Sequence, residues 1–332
     1  VSVPNLPTYA DVKAAADRIA GHANKTPMLR SQRLDEDTGR ICFIKPEVLQ
    51  VTGSFKFRGA SNRLLQLSEA EKKSGVVAWS SGNHAQGVAA AAKLVGVKAT
   101  IVMPADAPKL KIENTRRLGA EVVLFDRQTE SREEIAMALS AKTGATVVPS
   151  YDDKHIIAGQ GTAALELAQQ VSDASAHMDA LLICCGGGGL TAGCSLAMEK
   201  ASPETKIYSV EPEGYDDHAL SFASGKREAV DVGTHSICDA LLTPTPGEIT
   251  FAINQRLVTG GLVVTEAEVR TAMAYAFEVL KLTVEPGGAV ALAAVLTGKV
   301  PPQHKRIGIV LSGGNVDPDF FAEVLKGRHT TA

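Results

Sequence analysis

Between residues 75 and 148 short apolar runs rich in β-branched residues alternate with runs whose apolar positions recur at helical spacing. The segments 76–79, 99–103, 121–125 and 146–148 read as strands, and 84–95, 109–118 and 132–143 as helices. The same joint recurs three times, in LVGVKATIV, RLGAEVVLF and KTGATVV. In each, a glycine (Gly96, Gly119, Gly144) follows a helix and precedes a strand, where a left-handed residue closes the helix. This alternation with short joints predicts a parallel sheet covered by helices. A second block reads as helix 165–171, strand 180–185, helix 190–200, strand 206–210, helices 266–280 and 288–296, and strand 306–311. The strand at 180–185 is continuously apolar, as expected at the centre of a parallel sheet. A helix at 9–21 and a strand at 42–45 join this larger unit. The fold class is therefore α/β, with a smaller unit inserted in a larger one. The expected boundaries are 1–50 and 149–322 for the large domain and 51–148 for the small one, whose core spans about 75–148. Residues 323–332 are expected to form a C-terminal tail.

Composition narrows the classes of function. The 332 residues are 45% hydrophobic and 21% charged, with a formal net charge of -3. That balance gives no electrostatic reason for a nucleic-acid or anionic membrane partner. No apolar run approaches the ~20 residues of a membrane span, and the first residues, VSVPNLPTYADVK, lack the features of a signal peptide. The five cysteines form no C-x-x-C pair, which argues against a disulfide framework and for a reducing, cytoplasmic setting.

The strongest local signal is CCGGGGLTAG, residues 184–193, between a buried strand and a helix. Four consecutive glycines are entropically costly, and their bare N–H groups can converge on an anion at a helix N-terminus. A phosphate is the natural guest. Gly187, Gly189 and Ala192 also satisfy a degenerate G-x-G-x-x-A dinucleotide fingerprint, with Glu211 near the ribose position. On this segment alone a nicotinamide enzyme is favoured.

Three further stretches need another explanation. VTGSFKFRGA, 51–60, sets Lys56 between Phe55 and Phe57. A lone lysine is more often a surface charge with its stem on apolar neighbours. AWSSGNHAQG, 78–87, puts Ser80, Ser81, Gly82 and Asn83 in a strand-to-helix turn, where side chains face the carboxyl end of a sheet. Ordinary helix capping by Ser or Asn is the competing reading, and helix-start packing is the simpler role for His84. LSGGNVD, 311–317, follows the last strand in the same way, and Ser312 alone would only begin a turn.

Together these motifs resemble the fold-type II pyridoxal-phosphate (PLP) enzymes, and among them the threonine/serine dehydratase–serine racemase family. The matching stretches are KPEVLQVTGSFKFRGA, SSGNHAQGVA, IAGQGT, GGGGL, VEPEGYDD, EPGGAVALAA and LSGGNVD, from about Thr26 to Asp317. The resemblance implies a tryptophan synthase β-like fold: two open parallel-sheet α/β domains with the cofactor between them. It gives Lys56 the Schiff base to the cofactor, and burial beside the phenylalanines favours its neutral amine. Phe55, Asn83, Gly186, Gly187, Gly188, Gly189, Leu190 and Ser312 complete the cofactor site. Asn83 bonds the ring hydroxyl oxygen and the glycines cradle the phosphate. Ser312, a neutral group facing the pyridine nitrogen, favours elimination over transamination. Ser80, Ser81, Gly82, Asn83, His84, Arg132 and Thr243 line the substrate side. The implied reaction is elimination of water from serine, threonine or 3-hydroxyaspartate to give a 2-oxo acid and ammonia. Lys56 takes the α-proton. A serine at position 81 also occurs in the family's racemases, so Ser81 and Lys56 as two bases make serine or aspartate-type racemisation the alternative. Glu211 and Asp217, with the Tyr215 carbonyl, match a divalent-cation site for Mg²⁺, Mn²⁺ or Ca²⁺; a solvated acidic loop is the simpler reading of such a run. The group is usually dimeric, and the chain is expected to end with its sheet, without a regulatory domain.

Two stretches depart from the family pattern. Cys238 and Ala240 replace an alanine and a glycine, with Ala240 expected near the cofactor ring, and Pro149 and Ser150 stand where histidine and proline are usual. Both changes fall where substrate is chosen. A β-carboxylate there would need a cation from Arg132, Lys154, His155 or His235. A β-replacement enzyme, a dehydrogenase relying on the glycine loop, and a non-catalytic ligand sensor remain the competing classes.

Overall fold

The computed structural model describes residues 6–107, 109–231 and 233–327. Among them the strands are β1 Ile41–Pro46, β2 Val76–Trp79, β3 Ala99–Pro104, β4 Glu121–Phe125, β5 Thr146–Val147, β6 Ala180–Cys184, β7 Lys206–Pro212, β8 Gly260–Val264 and β9 Arg306–Leu311. They form two sheets, in the orders β1-β9-β6-β7-β8 and β4-β3-β2-β5. Every pairing in both is parallel, as the alternation of strand and helix predicts. The four-stranded sheet is built wholly from chain lying between β1 and β6.

β6 is buried along its whole length between β9 and β7, which explains its unbroken apolar sequence. A large core surrounds the five-stranded sheet, and two separate apolar clusters cover the faces of the four-stranded one. The three predicted glycine joints are present: Gly96, Gly119 and Gly144 all have positive φ.

The structure also holds elements that periodicity does not show. Helix Lys154–Asp173 begins eleven residues before the expected 165–171 segment. Its first half carries Gly159 and Gly161, which lower helix propensity. Tertiary packing reverses that preference. A Cβ on Gly159 would lie 2.6 Å from the Cα of Gly59, so this helix crosses helix Lys56–Leu64 at backbone contact. β8 is an edge strand opening on two glycines, and short helices at Gln32–Thr38, Asp217–Ser224 and Glu248–Leu257 lie outside the expected set. The expected 266–280 helix is an α-helix over Glu266–Tyr275 followed by a π turn, Ala276–Leu280. Residues Pro318–Gly327 form an amphipathic helix that runs from the expected large domain into the first half of the expected tail, 323–332. Phe321 meets Phe277 edge-on at 5.5 Å, and Arg270 lies 5.0 Å over Phe320. Residues 1–5 and the rest of the tail, 328–332, lie outside the described residues. No helix among the described residues is long and apolar enough to cross a membrane.

Candidate active site

Three turns at the carboxyl ends of parallel strands, and the loop after β1, meet between the sheets. Phe55 donates its N–H to the Ser312 carbonyl at 3.0 Å, Gly314 N–H donates to the Gly53 carbonyl at 2.9 Å, and Ser54 bridges Gly313. The lysine loop is thereby stitched to the turn after β9. Lys56 opens helix Lys56–Leu64, and its Nζ donates to the Ser150 carbonyl at 2.7 Å. No carboxylate pairs with this amine among the described residues. Burial pushes it down to about 8, opposed only by the more distant Cys184 and Glu285. A surface lysine would keep its ordinary value, so the simpler reading fails here.

Residue Arg58, two positions on, fixes that helix from below. Its guanidinium is fully buried and pairs with Glu47 at 2.7 Å and Glu166 at 2.7 Å. Glu166 also takes Lys45 at 2.8 Å.

The loop Gly186–Gly189 leads from β6 into helix Gly189–Ala201, with Gly188 at φ 93. The N–H groups of these four glycines have no backbone acceptor among the described residues. The Tyr151 ring packs so closely that a Cβ on Gly187 would stand 2.4 Å from it. A cluster of unpaired donors at a helix N-terminus, on a loop with no room for side chains, fits a phosphate group. Leu190 is buried in the first turn of the same helix.

Asn83 is buried, and its Nδ2 donates to Glu285 Oε1 at 2.5 Å while its Oδ1 accepts from Asn315 Nδ2 at 2.7 Å. Burial, and then the negative charge of Asp239, push the Glu285 carboxyl up to about 7. Ser312 is buried with its hydroxyl against the Cys184 thiol, which burial raises to about 12. Ala240 lies against Gly287, its Cβ 3.3 Å from where a glycine-replacing Cβ would stand, and its carbonyl is near Gly186.

In the 80–84 turn the helix N-cap is Gly82, and no side chain caps it. Capping therefore does not account for Ser80, Ser81 and Asn83. Ser80 Oγ accepts from Gly82 N–H at 3.1 Å, and the Ser81 hydroxyl has no protein partner among the described residues. His84 meets the Val148 carbonyl through Nε2 at 2.9 Å, and burial holds it neutral, down at about 3. Its Nδ1 has no partner.

Arg132 and Thr243 make no hydrogen bond to this constellation among the described residues. Arg132 is exposed and pairs with the adjacent Glu133 at 2.8 Å, though its charge is felt at Tyr151, and Thr243 is half-buried. Of the other cations considered for a β-carboxylate, His235 is 88% exposed and faces Glu266, while Lys154 and His155 open the helix capped by Asp153.

The acidic stretch is not a solvated loop. Glu211 and Asp217 are both fully buried, and burial raises both carboxyls. Glu211 accepts from the N–H groups of His218 and Ala219, each at 2.9 Å. Both oxygens of Asp217 lack a hydrogen-bond partner. Tyr215 is buried beside them, its hydroxyl donating to the Thr234 carbonyl at 2.9 Å. Orphaned buried oxygens of this kind suit a cation.

Glu285, Asn315, Arg58 and Tyr151 escape sequence reasoning as site residues. Glu285 and Asn315 lie inside quoted motifs, EPGGA and LSGGN, but only the fold brings them together on Asn83.

This arrangement defines an α/β enzyme that holds a phosphorylated cofactor beside a buried amine. A family model described as "Pyridoxal-phosphate dependent enzyme" matches residues 19–313, and the chain belongs to that family, in its threonine/serine dehydratase–serine racemase branch. It is 46% identical to an L-threo-3-hydroxyaspartate ammonia-lyase of Pseudomonas sp, over 97% of this chain and 99% of that one. It is 42% identical to a serine racemase of Schizosaccharomyces pombe, over 96% and 98%. Among solved structures, maize serine racemase superposes with a TM-score of 0.90 at 36% identity, covering 98% of this chain and 99% of that one. The fold-type II assignment is thereby established.

Proposed function

We propose that this chain is a PLP-dependent dehydratase, an ammonia-lyase that removes water from serine, threonine or 3-hydroxyaspartate. The carrying observation is the Lys56 amine, low in pKa, free of any carboxylate partner and set among the glycine loop, Asn83 and Ser312. The likeness to an L-threo-3-hydroxyaspartate ammonia-lyase supports 3-hydroxyaspartate as the first substrate to try.

Bound PLP would supply an electron sink for the carbon that loses its α-proton. Gly186 to Gly189 and the first turn at Leu190 would hold its phosphate, with Phe55 and Asn83 flanking its ring. The chain does the rest. The Lys56 amine takes the α-proton and holds it at Nζ, next to the Ser150 carbonyl that already accepts its N–H. The N–H groups and hydroxyls of Ser80 to His84 bind the substrate carboxylate and orient the α-C–H bond. Ser312 offers a neutral hydroxyl, which favours elimination, and the β-hydroxyl leaves as water with a proton that the bound phosphate group would supply. Water then hydrolyses the released enamine to a 2-oxo acid and ammonia. Arg132 and Thr243 keep a place on the substrate side only if the cleft closes over the ligand.

Racemisation is the second reading, favoured by the unpartnered hydroxyl of Ser81. A structural cation at Glu211, Asp217 and the Tyr215 carbonyl, a homodimer and a cytoplasmic location complete the proposal. Borohydride treatment tests the central claim. The holoenzyme should lose its yellow colour and carry a fixed adduct on Lys56. Lys56→Ala should give no adduct and lose activity by about 10³-fold or more, and an adduct on another lysine would overturn the assignment.

A further inference from the structure

Beneath the glycine loop lies a cluster that the reaction does not use. Cys185, after β6, Glu211 in β7 and His218 in helix Asp217–Ser224 each place one ligand atom within 4.8 Å of the others, and all three are buried. The Nδ1 of His218 is 3.4 Å from Asp217 Oδ2 and 3.5 Å from Glu211 Oε1. That nitrogen and both Asp217 oxygens have no hydrogen-bond partner. The imidazole faces both carboxylates in ion-pair contact, and two buried carboxylates against one imidazole leave negative charge that a divalent cation would match.

The donor set says which cation. Carboxylates alone would suit magnesium or calcium, but a thiol and an imidazole shift the preference to a borderline, thiophilic ion. We propose that this chain binds a divalent metal of the zinc class through the Cys185 thiolate, His218 Nδ1 and the Glu211 carboxylate, with Asp217 closing the set. The inference rests on the cation location proposed above and replaces its oxygen-only ligands. Binding would displace two protons to solvent, one from the thiol and one from Nδ1 of the imidazole, which the facing carboxylates favour in its charged form.

The far side of the imidazole reaches the phosphate loop. Its Nε2 lies 3.4 Å from the Asn254 side-chain amide nitrogen, which donates to the Gly188 carbonyl at 3.3 Å. The same Nε2 would stand 2.6 Å from a Cβ on Gly188. A metal-fixed imidazole therefore braces the phosphate loop from behind.

Zinc K-edge X-ray absorption on the chelator-treated, zinc-reloaded holoenzyme tests the proposal, with magnesium competition read by metal analysis. The expected result is zinc that millimolar magnesium does not displace, with a Zn–S distance of about 2.3 Å. Cys185→Ser should remove the sulfur shell, and His218→Asn should weaken zinc at least tenfold. A shell of nitrogen and oxygen only, or ready displacement by magnesium, would overturn this inference and leave the oxygen-ligand cation site standing. Failure to bind any cation would remove both. Borohydride labelling of Lys56 reports on the PLP assignment independently of either outcome.

Discussion

Glu285 occupies a position where a negative charge is expensive. It is 4% exposed, and burial with the nearby Asp239 carries its carboxyl from 4.5 to about 7. The folded protein thus holds this proton more tightly than the unfolded chain does. Its contribution to stability is fully present below about pH 4.5 and is lost as the pH rises through about 7. Glu285→Gln keeps the acceptor for Asn83 without the titration. Melting temperatures measured across that window should fall with pH for the parent and fall less for the variant. Gly187→Ala is expected to act on the cofactor instead. The new methyl would meet the Tyr151 ring at 2.4 Å, so equilibrium dialysis should show PLP affinity reduced at least tenfold, with the apo-protein still folded by circular dichroism. Ser81→Ala separates the two proposed activities: racemisation should vanish while most elimination survives, and equal loss of both would exclude Ser81 as a second base. At this scale the sequence makes Lys56, Asn83, Ser312 and the glycines legible, because each sits in a short motif with its own chemistry. Arg132 is legible only through the family resemblance, and its turn toward Glu133 depends on a neighbour that no motif includes.

Helix Lys56–Leu64 carries the reactive amine, and its placement comes from partners distant in the chain. Arg58 anchors it to Glu47 and to Glu166 on the long helix Lys154–Asp173. Arg58→Met would leave Glu47 buried and unpaired. Urea unfolding should report a loss of about 3–5 kcal/mol, and a loss under ~1 kcal/mol would show that the pair is not the anchor described. The same helix explains a failure of pattern reading. Helices closed by Gly96, Gly119 and Gly144 announce themselves, since those glycines mark ends. Gly59 and Gly159 sit inside helices, where a glycine argues against helix. Their use, a crossing at backbone contact, exists only once both helices are present.

For the molecule as a whole, parallel pairing throughout both sheets was readable from strand–helix alternation, and with it the site at the strand carboxyl ends. The order of strands was not, since β9, last in the chain, lies between β1 and β6. Lys111, in helix Lys109–Arg117, and Asp239, opening the 3-10 turn Asp239–Leu241, meet at 2.9 Å across the two units, both partly open to water; such a pair adds at most ~1 kcal/mol.

The stitching of Ser54 to Gly313 has a consequence during synthesis. Residue 56 leaves the ribosome long before residues 312–314, the segment that locks it in place, have been added. Until then the nascent polypeptide carries an ordinary, solvated, positively charged amine, sluggish toward aldehydes. Full reactivity switches on only once the two distant stretches have met.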